Sequence, residues 1–367
     1  MTTRNPFTPT FGKVPPHMAG RKEILDSMAQ AFEAGPGNPN LSSLLIGPRG
    51  CGKTALLACI ANEARAHGWV CAQVSALPGM LEDILERAYA EASEFIERGP
   101  STRIKSIGVA QVVEVELERR EPSSGNWRTR ATALLDALAR YDIGLLITVD
   151  EVRADLDEMV QLAAIYQHFV QEDRKVALIM AGLPHHVAEL VDNRSVSFIR
   201  RARHHHLGRI GDADIESALR KTIVDAGGEA SDDAIRECVE SSDGFPYMMQ
   251  LVGFWAWDCS REGRITHEDA LRGSRLARQE IRTGIYDATF RELSNGDVRF
   301  LKAMLPDERE SSLSDISARM GVKSNYSSKY KTRLLQRGVI GDRGGNHFGF
   351  DLPGFREYLA EKLADRE

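Results

Sequence analysis

Leu44-Leu45-Ile46-Gly47-Pro48-Arg49-Gly50-Cys51-Gly52-Lys53-Thr54 decides how the rest of this chain is read. Its first residues close a short apolar strand, Leu41–Ile46, and its last two open a helix expected over Lys53–His67. Between them, Gly47 to Thr54 fits G-x-x-x-x-G-K-[ST]. Glycines at 47, 50 and 52 tolerate backbone angles that other residues avoid, so the loop can turn its N–H groups onto phosphate oxygens. The following helix aims the positive end of its dipole at the same anion. Gly47, Pro48, Arg49, Gly50, Cys51, Gly52, Lys53 and Thr54 are therefore the expected phosphate site. Lys53 would reach the β- and γ-phosphates, and Thr54 would offer its hydroxyl to Mg²⁺.

Downstream, Leu145-Leu146-Ile147-Thr148-Val149-Asp150-Glu151 is an apolar strand ending in two carboxylates. Asp150 is the expected Mg²⁺ partner, through a coordinated water, because Mg²⁺ keeps much of its hydration. Glu151 is the expected general base for in-line attack on the γ-phosphate. Taken alone, Asp-Glu after a strand also reads as a helix cap, and it is the upstream phosphate loop that favours catalysis.

Both motifs belong to one alternating pattern. Ile24, Met28 and Phe32 mark an amphipathic helix over Arg21–Ala34, after a proline-bearing, extended lead-in at residues 1–20. Beyond the loop come strand Trp69–Ser75, helix Met80–Ile96, helix Trp127–Arg140, strand Gly144–Val149, helix Leu156–Val170 and strand Val176–Ala181. Such alternation predicts an α/β fold, a parallel sheet covered on both faces. Val113, Val115 and Leu117 alternate with Glu114, Glu116 and Glu118, which predicts a β-hairpin inserted near residues 104–118. Strands stop near Arg209: 210–290 reads as helices only, and 291–367 as short helices followed by a Gly-rich hairpin. Three domains are expected, 1–209, 210–290 and 291–367.

Composition excludes several classes. In a chain of 367 residues, 47 Lys plus Arg face 53 Asp plus Glu, a net charge of −6, so it is no uniformly basic nucleic-acid coat. Its 5 cysteines include no C-x-x-C pair, which argues against a disulfide scaffold or zinc ribbon and for a reducing, cytoplasmic setting. No run is long enough to cross a bilayer, so no membrane partner is expected.

The C-terminal segment departs from that average. Leu313, Ile316 and Met320 mark one helix, Gly321 a turn, and Ser324–Arg337 a second helix with Tyr330 and Leu334 inward. Asp342-Arg343-Gly344-Gly345-Asn346 between two apolar pairs is a hairpin signal, and a closing helix follows Pro353. From Arg319 to Arg343, seven cations face one carboxylate, a local balance of +6. Asn325, Ser328, Lys329 and Thr332 share one helical face suited to a major groove, with Lys331, Arg333 and Arg343 expected on phosphates. Helix–turn–helix plus hairpin resembles a winged helix. The partner is then double-stranded DNA, or, if the basic face is merely solvated, a protein.

The Gly47–Thr54 and Leu145–Glu151 motifs, with Val14-Pro15-Pro16-His17-Met18-Ala19-Gly20-Arg21 before them, resemble the AAA+ superfamily of P-loop ATPases. Within it the chain looks most like the origin-recognition-complex-like and archaeal-type ATPases, including the signalling STAND group. The resemblance spans nearly the whole chain and implies a parallel-sheet ATPase core, an all-α lid and a winged helix-turn-helix, acting on ATP with Mg²⁺. It implies adenine contacts from Gly20 and Arg21, and a lid motif in Asp243-Gly244-Phe245-Pro246 whose Pro246 lies against the base. Arg200 and Arg201, before the expected fifth strand, correspond to an arginine finger reaching ATP on a neighbouring copy. Two departures point to slow hydrolysis: Met180-Ala181-Gly182-Leu183-Pro184 has no polar γ-phosphate sensor, and no arginine adjoins the lid motif. His204-His205-His206 alternates in direction along a strand and cannot converge on a metal. The implied function is an ATP-dependent switch on DNA. The alternative is a STAND-like signalling, or transposition- or defence-associated, ATPase whose C-terminal module contacts a protein effector.

Overall fold

The apolar run before the glycine loop becomes an inner strand, paired on both sides. The computed structural model describes residues 4–10, 12–98 and 126–364. Five strands, β1 (Ser42–Ile46), β2 (Trp69–Ser75), β3 (Gly144–Asp150), β4 (Val176–Gly182) and β5 (Arg203–His206), form one parallel sheet in the order β2-β3-β4-β1-β5. Side chains alternate across it. Leu44, Leu145, Ile147, Leu178 and Met180 enter the core on one face, and Leu45, Leu146, Ala177 and Ile179 the core on the other. Helices α1 (Lys22–Ala34) and α2 (Lys53–Ala66) cover the second face through Met28, Phe32, Leu56 and Ile60. The first is covered by α3 (Met80–Arg98), α4 (Trp127–Ala139) and α5 (Asp157–Gln171). Both faces being dry explains why these strands read as apolar runs. Where β2 meets β3, a Cβ on Gly144 would lie 2.3 Å from the Trp69 ring, so only glycine lets this large buried indole sit between the strands. The hairpin expected near 104–118 lies outside the described residues.

After α6 (Pro184–Asp192), a 3-10 stretch over Arg194–Arg201 and β5, the chain turns helical: α7 (Asp212–Asp225), α8 (Asp232–Ser242), α9 (Pro246–Cys259) and α10 (His267–Ile281). The helices-only expectation needs one correction. Glu229–Ala230 (β6) and Arg264–Ile265 (β7) pair in parallel, strands too short to leave an alternating pattern. The lead-in is extended but docked: Phe7 is buried against Gly253 of α9, Asn5 Nδ2 donates to the Phe254 carbonyl at 2.9 Å, and Thr8 N donates to Gln250 Oε1 at 3.0 Å.

From α10 a π turn, Arg282–Tyr286, leads directly into α11 (Asp287–Glu292). The C-terminal module follows: α12 (Asn295–Met304), β8 (Ser311–Ser312), α13 (Leu313–Met320), α14 (Ser324–Gln336), β9 (Ile340–Gly344), β10 (His347–Phe350) and α15 (Phe355–Ala364). Its strands pair antiparallel in the order β8-β10-β9. One apolar core runs from the lid helices into this module, with Tyr286 and Phe290 packed on Phe355 and Tyr358, so packing does not break at residue 290. Among the described residues no helix is long and apolar enough to cross a membrane.

Candidate functional site

The glycine loop sits at the C-terminal edge of β1. A Cβ on Gly47 would lie 2.6 Å from the Leu207 carbonyl oxygen and 2.7 Å from Cys51 Sγ, so the loop closes tightly only without one. Gly50 (φ 77°) and Gly52 (φ 87°) take the left-handed angles that turn the chain into α2. Lys53 is the first residue of that helix, and its Nζ donates to the carbonyls of Gly47 at 2.8 Å and Pro48 at 2.7 Å, pinning the ammonium over the loop. Cys51 is buried beneath it, and burial pushes its thiol pKa up.

At the C-terminal end of β3, two places along the sheet, Asp150 meets α2. Thr54 Oγ1 donates to Asp150 Oδ2 at 2.6 Å, and the Glu151 amide donates to the other oxygen, Oδ1, at 2.9 Å. Glu151 itself has φ 55°, an uncommon angle for a residue with a side chain, and its carboxylate is exposed. The turn is fixed on both sides: Val152 N donates to the Ala181 carbonyl at 2.9 Å, and Ala76 N to the Asp150 carbonyl at 2.9 Å. Thr54 and Asp150 border a cavity of about 540 Å³ walled by Ser75, Leu77, Gly79 and Arg87. A hydroxyl and a carboxylate together are hard oxygen donors, the set Mg²⁺ prefers.

The start of α9 packs against this loop. Pro246, the first residue of α9, has its Cγ 3.5 Å from where a Gly52 Cβ would be, and the Tyr247 Cβ stands 3.9 Å from the same position at Gly50. Gly20 packs against Ile210 and Asp214. Arg21 is only 8% exposed, and burial lowers its pKa. Its Nη2 donates to the Gly208 carbonyl at 2.9 Å and the Cys51 carbonyl at 3.4 Å. Arg21 therefore braces the glycine loop against the chain leaving β5.

One residue was not legible from sequence. Arg209, in the link between sheet and lid, pairs with Asp243 and lies over the Phe245 ring at 5.6 Å, while Ile210 N donates to the Gly244 carbonyl at 2.8 Å. An arginine thus adjoins the lid motif, but from 34 residues upstream, where no local pattern could reveal it.

Of the expected finger pair, Arg200 is held by α6: its Nε donates to the Val191 carbonyl at 3.0 Å and Nη2 lies 3.7 Å from Asp192. Arg201 is exposed and makes no polar contact among the described residues. His204 and His206 are exposed and His205 half-buried along β5, and no three-residue metal cluster occurs among the described residues.

On the C-terminal module, Asn325, Lys329 and Thr332 are exposed on α14 and Ser328 half-exposed. The Lys329 ammonium sits 3.9 Å over the exposed Tyr326 ring. Lys331 turns instead toward the hairpin, 5.4 Å over Phe348. Two residues expected on phosphates are otherwise engaged. Arg333 donates from Nε at 2.9 Å and Nη2 at 2.6 Å to Asp297, which is 1% exposed, and Arg343 donates at 2.6 Å to Asp351, which is 8% exposed. Arg319 is likewise paired with Asp307 at 2.5 Å. Three of the seven cations counted from Arg319 to Arg343 are therefore neutralised by carboxylates outside that segment.

Residues 283–359 match a family described as a domain of unknown function (DUF8462). No curated protein matches the chain. Among solved structures, a Walker-type ATPase of Pyrococcus abyssi superposes with a TM-score of 0.66 at 16% identity, covering 94% of this chain and 96% of that one. The ORC2 protein of Aeropyrum pernix, in ADPNP and ADP complexes, gives 0.51 at 14% identity, covering 97% and 96%. At such identities the likeness is one of fold. The chain shares their α/β fold, a five-stranded parallel sheet with flanking helices.

Proposed function

We propose that this chain binds ATP with Mg²⁺, hydrolyses it slowly, and uses the nucleotide state to set how its C-terminal module, read as a winged helix, engages duplex DNA. The observation that carries the reading is the 2.6 Å hydrogen bond from Thr54 to Asp150 beside the glycine loop. It joins the two motifs, distant in sequence, at one point beneath the lid. Thr54 and Asp150 would hold Mg²⁺, which supplies charge neutralisation for the departing phosphate. Lys53 exchanges its contacts with the Gly47 and Pro48 carbonyls for phosphate oxygens. Glu151 projects beyond Asp150, where it orients water and accepts its proton. Pro246 covers the nucleotide from the lid, and Arg209 brings a positive charge to the same seam. Slow turnover follows from Leu183, an apolar residue after β4 where a polar sensor would act. Arg201 is the member of the finger pair assigned to ATP on a second copy.

A specific contact supports coupling. The turn at Gly338, just after α14, packs on Leu183 and on Arg49: a Gly338 Cβ would lie 3.2 Å from Leu183 Cδ1 and 3.5 Å from Arg49 Cγ. The C-terminal module therefore touches the phosphate loop's own arginine. The same contact favours a second reading, in which the module restrains the ATPase and binds a protein effector, as in STAND-like switches. For DNA, the assigned residues are Asn325, Ser328, Lys329 and Thr332, with Lys331 at the hairpin and without Arg333 or Arg343.

The test combines nucleotide and DNA binding on the full chain. Lys53→Ala should abolish ATP binding, and Glu151→Gln should keep binding while removing hydrolysis. Equal turnover in wild type and Glu151→Gln would sink the base assignment. Duplex binding that is undetectable at low salt would leave the effector reading in its place.

A further inference from the structure

At the junction of lid and C-terminal module, α10 and the π turn face α15 across a cleft of about 340 Å³. Arg275, Arg278, Arg282 and Lys362 line it, and Asp287 is the carboxylate among its lining residues. On a helix the three arginines fall at i, i+3 and i+7 and so share one face. Their pairing is incomplete. Arg275 is exposed and makes no polar contact among the described residues, and Arg278 donates to a neutral hydroxyl, Ser241 Oγ, at 3.0 Å. Arg282 pairs with Glu361 at 2.6 Å and Lys362 with Asp287 at 2.9 Å, leaving the cleft with a surplus of positive charge in a chain of net −6. Concentrating like charges has an electrostatic cost, and carboxylates relieve it here only at Arg282 and Lys362, not at Arg275 or Arg278.

We infer that this cleft is a second contact for the phosphodiester backbone of duplex DNA, separate from the face of α14. The inference rests on the DNA reading above and extends it. From Arg275 to Arg282 the helix rises about 10 Å, comparable to the rise of about three phosphate steps measured along the duplex axis. Guanidinium forks match phosphate oxygens bidentately, which a row of lysines would not do. Tyr358, the aromatic ring of the cleft, is 3% exposed and offers no platform for a base. With donors at the surface and no stacking ring, the cleft reads charge and not sequence. The π turn through Arg282 joins lid to module, so a bound backbone spans the nucleotide-covering lid and the α14 module at once. π turns recur at functional positions in helices.

The experiment measures binding of two unrelated duplexes to the full chain by anisotropy between about 50 and 200 mM salt. Arg275→Ala/Arg278→Ala should make the log–log salt slope shallower by about 2 and weaken both duplexes by the same factor. ATP affinity should not move. Arg275→Ala alone removes no polar contact among the described residues, so it should lower the slope by about 1 without a folding defect, and Arg275→Lys should restore it. A wild-type slope in both alanine variants, with wild-type DNA binding intact, overturns the cleft while sparing the DNA reading. No duplex binding by the wild-type chain overturns both. Loss confined to one duplex would assign the cleft to sequence readout and also overturn the inference.

Discussion

Replacing Arg333 by alanine separates bracing from binding on the basic helix. Asp297 is 1% exposed, and its two oxygens divide their work. Oδ2 accepts from Ser294 N at 2.9 Å and Ser294 Oγ at 2.8 Å, closing the capping box of α12, while Oδ1 accepts twice from Arg333. Removing the guanidinium leaves a buried carboxylate with half its partners. Breaking a buried pair costs about 3–5 kcal/mol, but the Arg333 side chain is 40% exposed and water screens part of the interaction, so about 2–3 kcal/mol is expected. Urea unfolding of the full chain, followed by a probe in the C-terminal module, reads this as a lower midpoint at unchanged m-value. Asp297→Asn in the Arg333→Ala background removes the unpaired charge and should recover about 1 kcal/mol or more. Lys329→Ala, whose ammonium rests at the surface on the exposed Tyr326 ring and beside Tyr330, should shift stability by less than about 1 kcal/mol yet weaken duplex binding. The reasoning fails if Arg333→Ala unfolds like wild type and loses DNA as Lys329→Ala does, for Arg333 would then be a contact and not a brace.

Three further outcomes are expected. Arg209→Ala loses an exposed ion pair and a cation–π contact, together worth about 1 kcal/mol or less, so calorimetric melting should barely change while ATP affinity falls about tenfold. Phe7→Ala empties the place beside Gly253 and should cost about 2–3 kcal/mol, below the usual range for a buried phenylalanine because an extended segment docked by few contacts can peel away. Limited proteolysis should then clip the lead-in faster. The Arg319 guanidinium lowers the Asp307 carboxyl to about 2 from 3.8. A depressed carboxyl contributes stability that is full above its unfolded pKa and lost as protons bind. The C-terminal module should therefore weaken from about pH 4 down to about 2, and Asp307→Asn should flatten that limb in an acid titration followed by circular dichroism.

Much of the site was legible because its signals are local. Gly50 and Gly52 need left-handed angles within a few residues of Lys53 and Thr54, and Asp150 ends an apolar strand. The short pair β6–β7 was not legible, since two residues carry no periodicity. Nor was the role of Arg21, whose burial against the Gly208 and Cys51 carbonyls depends on segments 187 and 30 residues away.

By itself the sequence determined the glycine loop, the alternation of strand and helix, the mostly helical run after Arg209 and the hairpin that closes the C-terminal module. Each of these follows from backbone preference and hydrophobic period over a dozen residues or fewer. Tertiary structure alone decided which charges are free. Counting along the chain makes Arg319 to Arg343 a basic stretch, yet Asp307, Asp297 and Asp351, all outside it, neutralise Arg319, Arg333 and Arg343. Conversely, Arg275, Arg278, Arg282 and Lys362, unremarkable in sequence, meet in one cleft. Electrostatic pairing acts over a few ångströms of space without regard to separation along the chain, so composition could locate the charge but not say where it remains exposed.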